Sequence, residues 1–463
     1  MQQPSAQDDG CGEVRRFAPA TVLTARMSLR RDLLRLAGPN ILSNVSVPLL
    51  SSVDTALMGQ LSAAHLGAVG IAGMLFNFLY WNFGFLRMGT TGLTAQAYGA
   101  GDDAEAAGTL ARAALLALAV AAGLLLLQVP LYALGTRLLN VPAATAPLVA
   151  DYFFVRIYAA PASLLLYVGL GWLFGMQDAR RPLLVAVLSN VLNVGLSYYL
   201  VAELGMGTRG VAWGTVGAQY FALALVAGLL RRAYPDVLGA FRQNTVATLS
   251  AYTRLLRVNG DLFVRTLCLT LAFAFLYSRA AADSALSLAV VTVLLQFLNW
   301  MSYGVDGFAY AAESLVGRFA GAADPVRLRA AVGLSMRWGA GLAAGFALLY
   351  AVAGEALVGV FTEDAAVAAG AVALMPWLVA LPLVGAACYI WDGAFVGLTA
   401  TRAMRDTMLL SLGLYVGAYF LLRGPLGEVA GLWAALLVFL GGRGLLQWAW
   451  WRWGTLAPQA PRG

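Results

Sequence analysis

The chain contains no lysine: its thirty basic residues are all arginine. Histidine occurs once, at His65, which leaves no set of imidazoles for a zinc or haem site. Cysteine occurs at Cys11, Cys268 and Cys388, widely scattered and without a CxxC pair, so neither a disulfide framework nor a thiolate metal site is expected. No GxxxxGK[ST] loop is present, which excludes ATP hydrolysis through a P-loop. Charged residues make up only 11% of the chain, too few for an ordinary soluble domain. The net charge of +7 is not gathered on one soluble face, so nucleic acid is not an expected partner. A membrane-embedded transferase would need His, Asp or Glu clustered in surface loops, and the single histidine and short loops argue against it. The expectation is a non-enzyme with no cofactor and no metal.

What fills the chain is apolar: 60% of residues are hydrophobic and the mean hydropathy is +0.75. A span needs about 20 mostly apolar residues. Roughly twelve such runs fit between residues 33 and 454. The fold class is therefore an all-α polytopic membrane protein. The arginines sort by side. Arg15, Arg16, Arg26, Arg30, Arg31 and Arg35 precede the first span. Arg180, Arg181, Arg231, Arg232, Arg242, Arg327, Arg329, Arg402 and Arg405 follow even-numbered spans, while Arg137, Arg209, Arg279 and Arg423 fall on the other side. Positive residues stay inside, so both termini are expected in the cytoplasm, with the protein in the inner membrane. Residues 1–29 have no apolar run and read as a disordered tail, not a signal peptide.

The chain also repeats itself. Gly171-x3-Gly175 with Arg180 recurs as Gly393-x3-Gly397 with Arg402, and 393 − 171 = 222. Gly99 and Asp102 recur at the same offset as Gly321 and Asp324. Two motifs that hold one offset argue for a duplicated unit, hence two six-helix lobes. The expected limits are 30–232 and 250–454, with a polar linker at 233–249 and a short tail at 455–463. Gly171 and Gly175 read as packing residues.

Charges inside spans are expensive and mark function. Asp54 lies late in the first span, on a helix carrying Pro39 and Pro48, either of which can bend it. Such a carboxylate reads as a proton or cation switch. In the fifth span Asn190, Asn193 and Ser197 share one face. Ser197, Tyr152, Thr215 and Asp54 fall within one slab in the outer half of the membrane, at 1.5 Å per residue. That favours a polar cavity in the N-terminal lobe. The second lobe offers Asp306, Glu313 and Asp392. Asp261 and Arg265, four apart, read as a self-neutralising pair. Arg87, Arg156 and Arg443 read as partners for carboxylates or as anchors, and Phe76, Phe78, Tyr80 and Trp81 as cavity-lining aromatics.

Leu86-Arg-Met-Gly-Thr-Thr-Gly-Leu-Thr-Ala-Gln-Ala-Tyr-Gly99 resembles the second-helix motif of the multidrug and toxic compound extrusion (MATE) transporters. Asp306-Gly-Phe-Ala-Tyr-Ala-Ala-Glu313 and Cys388-Tyr-Ile-Trp-Asp392-Gly-Ala-Phe-Val-Gly-Leu-Thr399 resemble the eighth- and tenth-helix motifs of the DinF branch. The resemblance covers roughly residues 30–450. It implies twelve helices in a V and export of organic, often cationic or amphipathic, compounds in exchange for H+ or Na+. It also makes Asp54 the coupling site, Pro39 the bending residue, and Tyr152, Asn193 and Thr215 parts of the same N-lobe site. Many relatives carry an aspartate where this chain has Ser197. One carboxylate takes a proton readily but coordinates Na+ less well, so H+ is the favoured ion. A monomer in lipid is expected. The alternative is a flippase for lipid-linked saccharides, which would need a cationic cavity with several inward arginines.

Overall fold

The computed structural model describes residues 28–44, 62–236, 239 and 249–454, and every regular element among them is helical. Helix α1 covers 28–44. It is followed by α2 (Ala63–Trp81), α3 (Phe85–Ala100), α4 (Asp103–Leu126), α5 (Gln128–Leu138), α6 (Ala146–Arg156), α7 (Ala160–Gly175), α8 (Arg180–Tyr198) and α9 (Gly207–Ala233). The second half holds α10 (Leu249–Asp283), α11 (Ala285–Gly321), α12 (Pro325–Phe361), α13 (Ala365–Ala373), α14 (Met375–Gly397), α15 (Thr401–Leu426) and α16 (Glu428–Trp453). Eleven stretches of the described chain are long and apolar enough to cross a membrane. The expected first span is described only over 28–44; Pro48 and Asp54 lie outside the described residues, as do 1–27, most of the 233–249 linker and 455–463.

Several spans are built from two helices. The second breaks at Asn82–Gly84 between α2 and α3. The fourth breaks at the single 3-10 turn Ile157–Ala159, where Pro161 opens α7. Proline is tolerated in a first turn because the N–H it lacks would be unpaired there in any case. The tenth breaks at Leu374, again with a proline, Pro376, at the start of α14.

The 222-residue repeat is written into the backbone. Left-handed residues occur in pairs at that offset: Gly101 (φ 69) with Ala323 (φ 51), Gln177 (φ 63) with Thr399 (φ 52), and Gly205 (φ 64) with Gly427 (φ 84). The caps match bond for bond. Asp102 N–H reaches Ala97 O and Asp324 N–H reaches Phe319 O, each at 3.0 Å. The Asp102 and Asp324 carboxylates then cap the next helices at Glu105 and Arg327, a standard N-cap role for aspartate.

Glycine supplies the close helix approaches. A Cβ on Gly171 would stand 2.5 Å from Arg87 O and one on Gly393 2.1 Å from Ala309 O, so α7 packs on α3 as α14 packs on α11. Between the lobes the contact is reciprocal. A Cβ on Gly99 would stand 1.8 Å from Arg318 O, and one on Gly321 1.9 Å from Gln96 O. This seam joins the ends of α3 and α11 nearest the arginine-rich loops. Gln96 Nε2 donates across it to Gly397 O (2.9 Å) and Thr399 Oγ1 (3.2 Å). Gln177 Nε2 donates the other way, to Ser314 O (2.8 Å). From the seam the halves part: α2 packs on α6 and α9 of its own lobe, and the start of α11 on α12 and α13.

Helix α1 behaves differently. Its Ala37 and Ile41 pack on Gly307 of α11, Asn44 donates to Tyr303 O (3.2 Å), and Arg30 lies over the Trp338 ring of α12. Pro39 is half-buried on this helix.

Candidate functional site

In the N-lobe, α8 and α9 meet so closely that a Cβ on Gly214 would fall 2.5 Å from Ser197 Oγ. Asn193 Nδ2 donates to Thr215 Oγ1 at 3.2 Å, and that hydroxyl donates on to Val211 O. Part of the polar stripe is thus inter-helix adhesive. The rest is spare: Asn193 Oδ1 and Ser197 Oγ are buried and have no hydrogen-bond partner among the described residues. A buried acceptor without a partner costs on the order of 1–3 kcal/mol unless a proton, water or ion meets it. Asn190, one turn earlier, is half-buried. Tyr152 is buried on α6, which packs on α9, and its ring lies 6.2 Å from Phe76.

The four lining aromatics split by helix face. Phe76 and Tyr80, four apart, are buried and line the lobe interior; Phe78 and Trp81 are exposed on the other face of α2. Arg156 stacks over Phe76 and Tyr80 at 5.6 and 5.7 Å, and its Nη1 has no partner among the described residues.

In the C-lobe the three carboxylates have different fates. Asp392 is clamped by Arg265, by Arg443 (2.6 Å) and by Gln447 Nε2 (2.7 Å). Glu313 pairs across the lobes with Arg87 at 3.5 Å, and Arg87 lies 4.1 Å from the Tyr310 ring centre. Asp306, two turns before Glu313, is half-buried and makes no hydrogen bond or ion pair to a described residue, although Arg87, Arg265 and Arg443 are all near enough to act on it.

The expected Asp261–Arg265 pair does not form. Asp261 instead accepts from Arg405 (2.7 Å) and Thr401 (3.1 Å) at the start of α15. Arg265, one turn deeper, turns inward to Asp392. Partners on neighbouring helices take both side chains, and the i, i+4 contact is too weak to compete. Gln96 and Gln177, which bond across the seam, and Gln447, which holds Asp392, are polar groups that sequence reasoning passed over. The signal was present for Gln177, which sits 222 residues before Thr399.

A helical membrane protein of two repeated lobes, seamed at one end and holding unsatisfied polar atoms within a lobe, has the build of a secondary transporter. A family model described as MatE matches residues 39–199 and 262–418, one block in each half. DNA damage-inducible protein F of Escherichia coli (strain K12) is 38% identical over 425 residues, covering 91% of this chain and 92% of that protein. A probable multidrug resistance protein NorM of Caulobacter vibrioides is 27% identical over 427 residues, covering 90% and 87%. Among solved structures, a MATE crystal structure in the bent conformation superimposes with a TM-score of 0.86 at 19% identity, covering 94% of this chain and 97% of that one. An outward-facing multidrug resistance MATE transporter gives a TM-score of 0.85, also at 19% identity, covering 93% and 97%. The chain belongs to the MatE family of multidrug and toxic compound extrusion transporters, in its DinF branch.

Proposed function

We propose that this protein is a proton-driven antiporter that exports organic, often cationic or amphipathic, compounds by alternating access. The carrying observation is the reciprocal glycine seam. Apart from α1, the described contacts between the lobes run from the arginine-rich end as far as Arg87–Glu313 and Asn82–Thr270, while α2 beyond them packs on α6 and α9 of its own lobe. With that end in the cytoplasm, as arginine asymmetry suggests for a protein of the inner membrane, the seam closes the inner side and the cleft faces outward. The lobes are taken as 30–232 and 250–454 with 233–249 as their cytoplasmic linker, and the unit as a monomer in lipid. Asp54 is the coupling carboxylate. Ionised, it favours a cationic substrate in the N-lobe; protonated from outside, it withdraws that attraction and the helix bends at Pro39 or Pro48. The spare acceptors Asn193 Oδ1 and Ser197 Oγ support a site that exchanges partners between states. The proton gradient supplies the difference in substrate affinity between the two states. Na+ is the less favoured ion, because Ser197 replaces a carboxylate found in many relatives.

A flippase cavity would keep several arginines free for a pyrophosphate. Arg87, Arg265 and Arg443 are held by Glu313 and Asp392 instead, which weighs against that reading. The test is export from inverted vesicles under an imposed pH gradient. Asp54→Asn should insert normally and lose coupled export; export at the wild-type rate would defeat the assignment.

A further inference from the structure

The arginine-rich end carries two neighbouring cavities that share Arg35 and Arg180 and differ in their carboxylates. One, of about 480 Å³, is lined by Arg35, Arg180, Arg181 and Arg318 together with Asp32 and Asp178. Two of its arginines are compensated, Arg318 by Asp32 at 3.7 Å and Arg181 by Asp178, while Arg35 and Arg180 also line the second cavity. The other, of about 810 Å³, is lined by Arg30, Arg31, Arg35 and Arg180 with only Leu34 and Pro39 between them, and no carboxylate.

All four of its arginines are exposed. Arg30 is steadied over Trp338. Arg31, Arg35 and Arg180 make no ion pair among the described residues. Arg31 and Arg35 stand four apart on one helix face, where like charges repel. Such a cluster is stabilised by a multivalent oxyanion, and the planar guanidinium fork suits phosphate oxygens two at a time. Leu34 and Pro39 give the same cavity an apolar side. Phosphate-binding groups beside an apolar wall, at the end of a membrane bundle, match the boundary between headgroup and acyl chain. Basic pockets between spans on the cytoplasmic side are recognised sites for anionic headgroups.

We propose that this cavity binds the phosphate of an anionic phospholipid. The proposal rests on the transporter reading for its consequence. Arg30 lies over Trp338 of the C-lobe and Ala37 and Ile41 of α1 pack on Gly307, whereas Arg180 opens α8 of the N-lobe. A headgroup held by all four arginines therefore fastens α1 to the N-lobe beside the closed seam and favours the seamed state.

The test uses the full chain in nanodiscs of phosphatidylcholine, titrated with short-chain phosphatidylglycerol and, separately, with inorganic phosphate. Bound lipid is counted by native mass spectrometry, and seam distance is read by spin labels on either side. Wild type should retain phosphatidylglycerol at concentrations about tenfold lower than the triple variant Arg31→Gln, Arg35→Gln, Arg180→Gln, since each charged hydrogen bond lost weakens binding severalfold. The lipid should also narrow the seam-distance distribution. Inorganic phosphate at the same concentrations should not displace it. Equal retention by wild type and variant overturns the site, and displacement by free phosphate overturns the lipid source. If the triple variant does not fold, Arg35→Lys keeps the charge but not the fork, and unchanged retention there overturns the proposal. None of these readouts requires transport, so failure of the antiport reading would leave them interpretable.

Discussion

Gly99→Ala should unseat the closed end. A Cβ there would stand 1.8 Å from Arg318 O, against the roughly 3.2 Å that a carbon and a carbonyl oxygen need. The obstacle is backbone on both sides, so no side chain can move away to relieve it. The ends of α3 and α11 must separate by more than 1 Å. That lengthens the bonds from Gln96 to Gly397 O (2.9 Å) and from Gln177 to Ser314 O (2.8 Å) beyond useful range. Two hydrogen bonds at about 1 kcal/mol each, plus lost packing, amount to about 2–4 kcal/mol against the seamed state. A shift of at least about 2 kcal/mol turns a state populated at about 95% into the minority. Double electron–electron resonance between spin labels at the loop ends of the two lobes would report it as a longer, broader distance. Gly123→Ala is the control, because its Cβ would meet nothing within 4 Å. A Gly99→Ala protein with the wild-type distance distribution would refute the view that this contact sets the closed state.

Asp392→Asn should lower thermal stability in detergent by the equivalent of about 3–5 kcal/mol, because Arg265 and Arg443 are left buried without a counter-charge; differential scanning fluorimetry would read it. Arg443→Met in the same background should recover part of that loss. Ser197→Asp should make export respond to Na+ at constant pH, where wild type stays indifferent in a vesicle flux assay. A cysteine at Arg405 in a Cys-free protein should label only from the cytoplasmic side and one at His65 only from outside, as seen with membrane-impermeant maleimide.

The repeat was legible in the sequence because close backbone approach admits glycine alone, so Gly99, Gly171, Gly321 and Gly393 carry geometry in their identity. The N-lobe stripe was legible for the related reason that Asn193 and Ser197 are costly in a span. Choice of charge partner was not legible. Whether Asp261 meets Arg265 or Arg405 depends on how α10 is rotated against α15, and helix periodicity does not encode that rotation. Nor did sequence distinguish Asp392, bound on every side, from Asp306, which makes no ion pair to a described residue; both are simply carboxylates in spans. The exposure of Phe78 and Trp81 was missed because hydrophobicity alone does not separate a lipid-facing ring from a core one.

The pairing of Gly99 with Arg318 O and of Gly321 with Gln96 O has the form of an isologous contact, the kind that joins two identical subunits across a dyad. This chain is in that sense a dimer fused into one gene. Fusion removes the obligation that both halves be alike. At the 222-residue offset, the N-lobe's Asn193 and Ser197 correspond to Tyr415 and Tyr419, which are fully buried, and the C-lobe's Asp392 corresponds to Leu170. One half has kept small polar groups where the other is plugged by phenol rings, and one has a charged cluster where the other is greasy. A true homodimer would have to spend each such change twice. The joint between the halves has stayed symmetric, as a hinge requires, while the two interiors have been free to divide the labour.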